Sequence, residues 1–364
     1  MWEAIKITDE KFLSNLAEMA AGYYGEENDI SKEDYLRHEY FHNPAGKVVM
    51  YAAYDKGNDA FVGQIAAVPV IIKSGRGLYR SLLAVNLITK DSYRGQGVFR
   101  ELATNVFDRE AKENYEFAYA MPNQFSYPGF LKYHGFRDLG RVPLYVRPIV
   151  PSGLVRSYLH SRKLSRIAGL FDGAFRINNS FSENKESRSR FALEDFKTGA
   201  IKYADSFWES IKDDYQVMVC RDYDYLKWKY LDVPYRDYKG YYALHDGNAV
   251  AFVIGRNMKV SGINCAMIAD FLFIKGYEQI ASEVVKKLLR ELTDSGAEMA
   301  GCMVPPNSKE RRILTRIKFF KCPLLLEPQP FRFIFRQINN SDDTSPKSAE
   351  LKNWFFTLGD YDVV

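Results

Sequence analysis

Apolar positions change their spacing along this chain, and the changes mark its elements. After the glycines of "DSYRGQGVFRELA" (91–103), Val98, Phe99, Leu102, Ala103, Val106 and Phe107 fall on one stripe with a 3.6-residue period, which predicts an amphipathic helix. Just before them, "LLAVNLIT" at 82–89 is an apolar run with one polar residue, Asn86, in its middle, and it predicts a strand. "YEFAYAM" at 115–121 is short, aromatic and bounded by Pro122, and predicts another. Upstream, "YAAYDKGND" from Tyr51 has two apolar arms around Lys-Gly-Asn, residues that tolerate the positive φ of a hairpin turn. The order is a helical start, then β, β, β, α, β, α.

That order returns in the second half. "YLRHEYFHNP" at 35–44 and "YLKWKYLDVP" at 225–234 share Tyr, Leu, Tyr and Pro at identical spacing, an offset of 190 positions. "YYALHDGN" from Tyr241 then repeats the hairpin pattern. Further on the offset is 184: "AMIADFLF" at 266–273 puts Asp270 where the first copy has Asn86, and "PN" at 306–307 falls on "PN" at 122–123. A duplicated unit follows from this register. The expected fold class is α/β (α+β), two mixed-sheet domains flanked by helices. The limits read as 1–148 and 200–335, with a connector at 149–199 and a polar tail at 336–364.

Composition narrows the partners. The 364 residues carry 50 basic and 46 acidic side chains, a net charge of +4 that does not call for nucleic acid. Four widely spaced cysteines, Cys220, Cys265, Cys302 and Cys322, read as buried thiols of a reducing compartment, with no metal-binding spacing. Acidic residues interrupt the amino terminus where a signal peptide needs an apolar run, and no run reaches the ~18 apolar residues of a membrane span. The expected location is cytoplasmic. A basic amphipathic stretch at 156–171 reads as a helix packed across the two copies rather than as a membrane contact.

The glycine stretch carries the candidate chemistry. Gly95 and Gly97 let successive N–H groups point into one concavity at the positive end of a helix dipole, and Arg94 adds a charged donor, an arrangement suited to pyrophosphate. A tight turn alone would explain the glycines equally well. Neither a dinucleotide fingerprint nor a P-loop fits, because Arg100 stands where the former needs glycine and the latter's Gly-Lys-Ser/Thr is absent.

Strand, "YRGQG", amphipathic helix, strand, Asn, and a helix ending in "GF" together resemble the GNAT superfamily of acyl-CoA-dependent N-acyltransferases. Its [QR]xxGx[GA] motif is met by Arg94 and Gly97, with Phe99 where a small residue is usual, so the Phe99 ring is expected in the core. The resemblance covers 1–148, and 200–335 resembles a second, degenerate copy that has "FIKGYEQ" in place of the glycine loop. It implies acetyl-CoA as acyl donor, no metal, and direct attack of a small-molecule amine, such as an amino sugar, on the thioester. The donor would lie along Leu87, Ile88 and Thr89, on the loop Arg94, Gly95, Gln96, Gly97, Val98 and Phe99, and against Asn123, which is equally suited to cap a helix.

Tyr127, with Tyr133 as the alternative, is the expected proton donor, because the usual tyrosine position holds Leu131. Core packing would account for either phenol. The base is open between water polarised by Asn86, His42, and a terminal carboxylate following "YDVV" at 361–364. Asp270 either contacts the acceptor or forms a structural ion pair. A homodimer is compatible with these readings. The competing functions are a non-catalytic CoA-binding scaffold and a Fem-type aminoacyl transferase using aminoacyl-tRNA.

Overall fold

The computed structural model describes residues 1–152, 155, 166–167, 169–170, 172–175, 191–339 and 349–361. Most of the basic stretch at 156–171 therefore lies outside the described residues. In chain order the strands are β1 (Trp2–Lys6), β2 (Val49–Asp55), β3 (Ala60–Ser74), β4 (Gly77–Thr89), β5 (Phe117–Ala120), β6 (Arg137–Arg141), β7 (Leu144–Pro148), β8 (Ala192–Asp195), β9 (Val217–Val219), β10 (Lys239–His245), β11 (Asn248–Val260), β12 (Ile263–Phe273), β13 (Met299–Met303), β14 (Phe320–Lys321) and β15 (Arg332–Gln337). In the first half the main helices are α1 (Leu13–Tyr24), α2 (Glu33–Phe41), α3 (Val98–Ala103) and α4 (Tyr127–Tyr133). This is the mixed α/β content expected from the periodicities.

Two sheets form, and they have the same plan. The first runs β1-β2-β3-β4-β5-β15-β6, with β9 added to β3; the second runs β8-β10-β11-β12-β13-β7-β14 when read from its other edge. In each the hairpin strands are antiparallel, and β4/β5 and β12/β13 are parallel. The second-copy hairpin turns through Asp246 and Gly247, both at positive φ, as Asp-Gly chemistry predicts.

The repeat offset appears directly in the packing. His38 and Trp228, equivalent positions 190 residues apart, meet face to face: His38 Nε2 bonds Trp228 O at 2.8 Å, and Trp228 Nε1 donates to His38 O at 3.3 Å. A pseudo-two-fold axis therefore runs between the two copies.

One feature was not legible in the sequence. β7, at the end of the first copy, lies in the second sheet between β13 and β14, and β15, at the end of the second copy, lies in the first sheet between β5 and β6. Each half completes the other's sheet. The largest apolar core accordingly mixes the halves, with Phe117 and Tyr119 of β5 packed on Phe333 and Phe335 of β15. The four cysteines are buried and unpaired.

Candidate active site

The site begins with a fault in β4. The β3/β4 register slips between Gln64 and Ala66, and Asn86 takes φ +49 within the bulge. Asn86 is buried; its Nδ2 donates to Tyr40 Oη at 2.6 Å and lies 3.5 Å from Glu39 Oε2. Among the described residues its Oδ1 has no partner. On the other edge of β4, the parallel ladder to β5 stops at Leu83 and Tyr119. From Ala84 onward the two strands splay apart.

An apolar cavity of about 770 Å³ starts in this gap, with Ala84, Asn86 and Leu87 on one wall and Met121, Asn123 and Ser126 on the other. It continues between the sheets, where Met258, Val260, Cys265, Met267 and Met299 come from the second copy. Lys259 is its charged residue; no Asp, Glu or His of the described chain lines it. The hydroxyl side chains on its wall are those of Tyr24, Ser126, Ser261 and Tyr361.

The glycine loop follows β4. Asp91–Tyr93 make one tight turn, Gly95 and Gly97 take φ +78 and +81, and α3 starts at Val98 with Gly97 as its left-handed cap. A side chain at either glycine would meet open space, so backbone conformation rather than packing demands glycine there. The first N–H groups of α3 have no acceptor inside the helix and open toward the loop. Gly95 and Gly97 thus have the left-handed backbone that the expected cradle requires.

Arg94 is half-exposed and pairs with Asp91 at 2.8 Å, so its charge sits on the rim; Gln96 donates to Ser92 O at 3.0 Å. The Phe99 ring turns inward as expected, edge-on to Phe130 at 5.3 Å and to His134 at 5.2 Å. Ile88 and Thr89 pair with Gln64 and Gly63, and beyond Leu83 the opposite backbone edge of β4 has no strand partner among the described residues.

Asn123 closes the turn that leads into α4: its Oδ1 accepts from the N–H groups of Phe125 and Ser126, both at 3.0 Å. It also lines the cavity, so the turn fixes it at the wall.

The expected proton donors are placed elsewhere. Tyr127 does not line the cavity; its phenol donates to Asp138 at 2.6 Å, and that carboxylate raises its pKa above the usual range. Tyr133 is exposed and lies under the Arg100 guanidinium at 5.2 Å, also outside the cavity. His42 is exposed on the surface and lines none of it. Of the terminal "YDVV", Tyr361 reaches the cavity and accepts a bond from Gln329 Nε2 at 2.6 Å; 362–364 lie outside the described residues.

Asp270 is a structural ion pair, away from the cavity. It is fully buried and accepts from Arg221 Nε at 2.7 Å, while Arg221 Nη2 reaches Asp360 at 2.7 Å. Burial opposes charge on the guanidinium, but the two carboxylates outweigh it and hold its pKa above the ordinary value. Tyr230 Oη also bonds Asp270, at 3.3 Å, repeating the Tyr40–Asn86 contact of the first copy. Sequence reasoning missed Arg221, Asp360 and the inner cavity wall, because they come from separate stretches with no local motif.

No family model matches the chain, and no curated protein does. Solved structures do match its fold. A probable N-acyltransferase of unknown function from Enterococcus faecalis V583 aligns with TM-score 0.62 at 12% identity, over 93% of this chain and 73% of that one. A GCN5-related N-acetyltransferase from Anabaena variabilis ATCC 29413 gives 0.59 and 12%, over 93% and 73%. Saccharomyces cerevisiae N-myristoyltransferase, solved with bound myristoyl-CoA, gives 0.59 and 11%, over 94% and 84%. The splayed parallel pair, the bulge and the two matching sheets define a protein of the GNAT fold. More particularly, its two matching sheets fit a tandem arrangement, and the halves exchange the strands β7 and β15.

Proposed function

We propose that this protein transfers an acyl group from a CoA thioester to an amine, with acetyl-CoA the donor expected from the sequence and a small molecule the acceptor. The observation that carries this reading is the gap between β4 and β5, which opens at Leu83 directly into the cavity and lies a few residues before the Gly95–Gly97 loop. The free edge of β4 offers backbone groups to a pantetheine arm, and the loop offers N–H groups and Arg94 to the pyrophosphate. Most of the work asked of the protein is positioning, since the amine attacks the thioester carbon directly.

Asn86 lies on the cavity wall at the bulge, but its unpartnered Oδ1 is closed off from the open space of the cavity, so the bulge positions the amine rather than that oxygen accepting from it. With no carboxylate or imidazole on the wall among the described residues, the amine enters neutral or loses its proton through water. The Lys259 ammonium and the hydroxyls of Tyr24, Ser126, Ser261 and Tyr361 are the wall groups that can return a proton to the departing thiolate.

Calorimetry with acetyl-CoA tests the donor site. The wild type is expected to bind in the micromolar range, and Arg94→Ala with Gly97→Val to bind at least about tenfold more weakly, a loss of ~1.4 kcal/mol. If the wild type binds no CoA, the donor-site reading fails. The placement of Tyr127 and Tyr133 outside the cavity favours a second reading, a CoA-binding scaffold without turnover; binding without acyl transfer to any amine would select it. Among the described residues the cavity wall holds no arginine, the feature that would favour the aminoacyl-tRNA reading.

A further inference from the structure

The cavity runs past the β4/β5 gap, where the pantetheine arm is proposed to lie, into an apolar space between the sheets that an acetyl group would leave empty. At about 770 Å³ it lies toward the upper end of the ~300–1,000 Å³ usual for small-ligand sites. Its inner chamber, between the sheets, is walled by Val146, Val260, Ile263, Cys265, Met267 and Met299. These are aliphatic or sulfur-bearing side chains, and the methionines adapt their shape to what they meet.

Phe320 and Leu326 also line the cavity, and both are about half-exposed. They adjoin Leu324 and Leu325, the latter 95% exposed, so a run of apolar side chains faces solvent beside the chamber. Exposed apolar surface of this kind marks a ligand groove or a protein or membrane contact, and here it borders the chamber.

We infer that the inner chamber holds an extended aliphatic chain carried by one of the two reactants, entering past Phe320 and Leu326. The assignment to a reactant rests on the proposed donor site; the occupancy of the chamber does not. Two sources carry such a chain, the acyl group of the donor or the tail of an amphiphilic amine. Either would place its reactive end at the β4/β5 gap, beside Asn86.

Two titration series separate the sources. In one, CoA, acetyl-CoA, octanoyl-CoA and lauroyl-CoA are titrated into the full-length protein; in the other, butylamine, octylamine and dodecylamine, each below its micelle concentration. Affinity is expected to rise roughly two- to fourfold per methylene in at least one series. A rise in the first assigns the chain to the donor, and a rise in the second assigns it to the acceptor. Met258→Asp and Leu326→Asp place a charge at the chamber wall and at its mouth, on positions that are only partly buried. They are expected to flatten the dependence on chain length, to leave the affinity for CoA itself unchanged, and to melt like the wild type.

If CoA binds but neither series rises, or if the rise persists in both variants, the inference is overturned. Failure of CoA to bind would sink the donor-site reading separately, and the amine series would still decide the chamber.

Discussion

Glu310 shows how far a single residue departs from its ordinary chemistry when it is closed off from water. It is fully buried; Oε1 accepts from Tyr215 at 2.6 Å, and Oε2 has no partner among the described residues. Burial pushes its pKa up to about 7. The folded state therefore binds a proton that the unfolded chain, titrating near 4.5, releases, so this residue's contribution to stability is full below pH ~4.5 and is lost as pH rises to ~7. The loss is on the order of 3 kcal/mol. His38 and His134 act in the opposite sense, because burial lowers their pKa values and stability is lost as pH falls through the histidine range. Glu310→Gln is thus expected to gain on the wild type between pH 5 and pH 8 in denaturant titrations. An unchanged difference across that range would show that the folded-state pKa of Glu310 does not lie within it. Asp270 carries the same lesson in another form: a lone acid in an apolar strand was visible in the sequence, but its partner Arg221 lies 49 positions away and could not be read from it.

At the scale of elements, β4 is where local sequence and site geometry coincide. The polar interruption at Asn86 was legible, and it marks the residue that adopts φ +49 in the bulge. Asn tolerates the left-handed region, and β-branched residues do not. Asn86→Val is expected to cost about 1–3 kcal/mol in equilibrium unfolding from backbone strain and the lost bond to Tyr40, whereas Asn86→Gly keeps the backbone and loses less. Equal losses in the two variants would mean that the bulge is not strained.

The stripe predicted for the helix after the glycines is present, with Val98, Leu102, Ala103, Val106 and Phe107 buried. It is not uniformly α-helical, since Thr104–Arg109 widen into a π-turn. Apolar spacing reports which face is buried and not how tightly the backbone winds.

For the molecule as a whole, strand exchange makes the halves interdependent. The carboxy-terminal segment adds to this: Phe355 N donates to Val217 O at 2.8 Å, and Trp354, Phe355, Phe356 and Leu358 are buried between the halves. Four such side chains are worth ~1.5–3 kcal/mol each, comparable with the ~5–15 kcal/mol net stability of a typical domain. Truncation after Glu350 is therefore expected to leave a protein without a cooperative unfolding transition. A truncated chain that melts like the full one would show that the segment only rests on the surface. Residues 1–148 expressed alone would lack β15 from the middle of their sheet, which exposes the edge of β5.

Periodicity, turn residues and internal repetition depend on neighbours within a few positions, so the sequence by itself determined the order of elements, the duplication, the glycine loop and the polar fault in β4. Which strand lies beside which is settled by the burial of whole faces, and that decided the exchange of β7 and β15 and the pairing of Arg221 with Asp270 and Asp360. The same holds for the phenols. Spacing along the chain placed Tyr127 and Tyr133 near the expected chemistry, but the orientation of α4 gives one to Asp138 and the other to solvent, while Tyr361, more than 200 residues on, comes into the cavity. A side chain's reach is a property of the packed structure, because the backbone around it sets its direction and its neighbours set its partners.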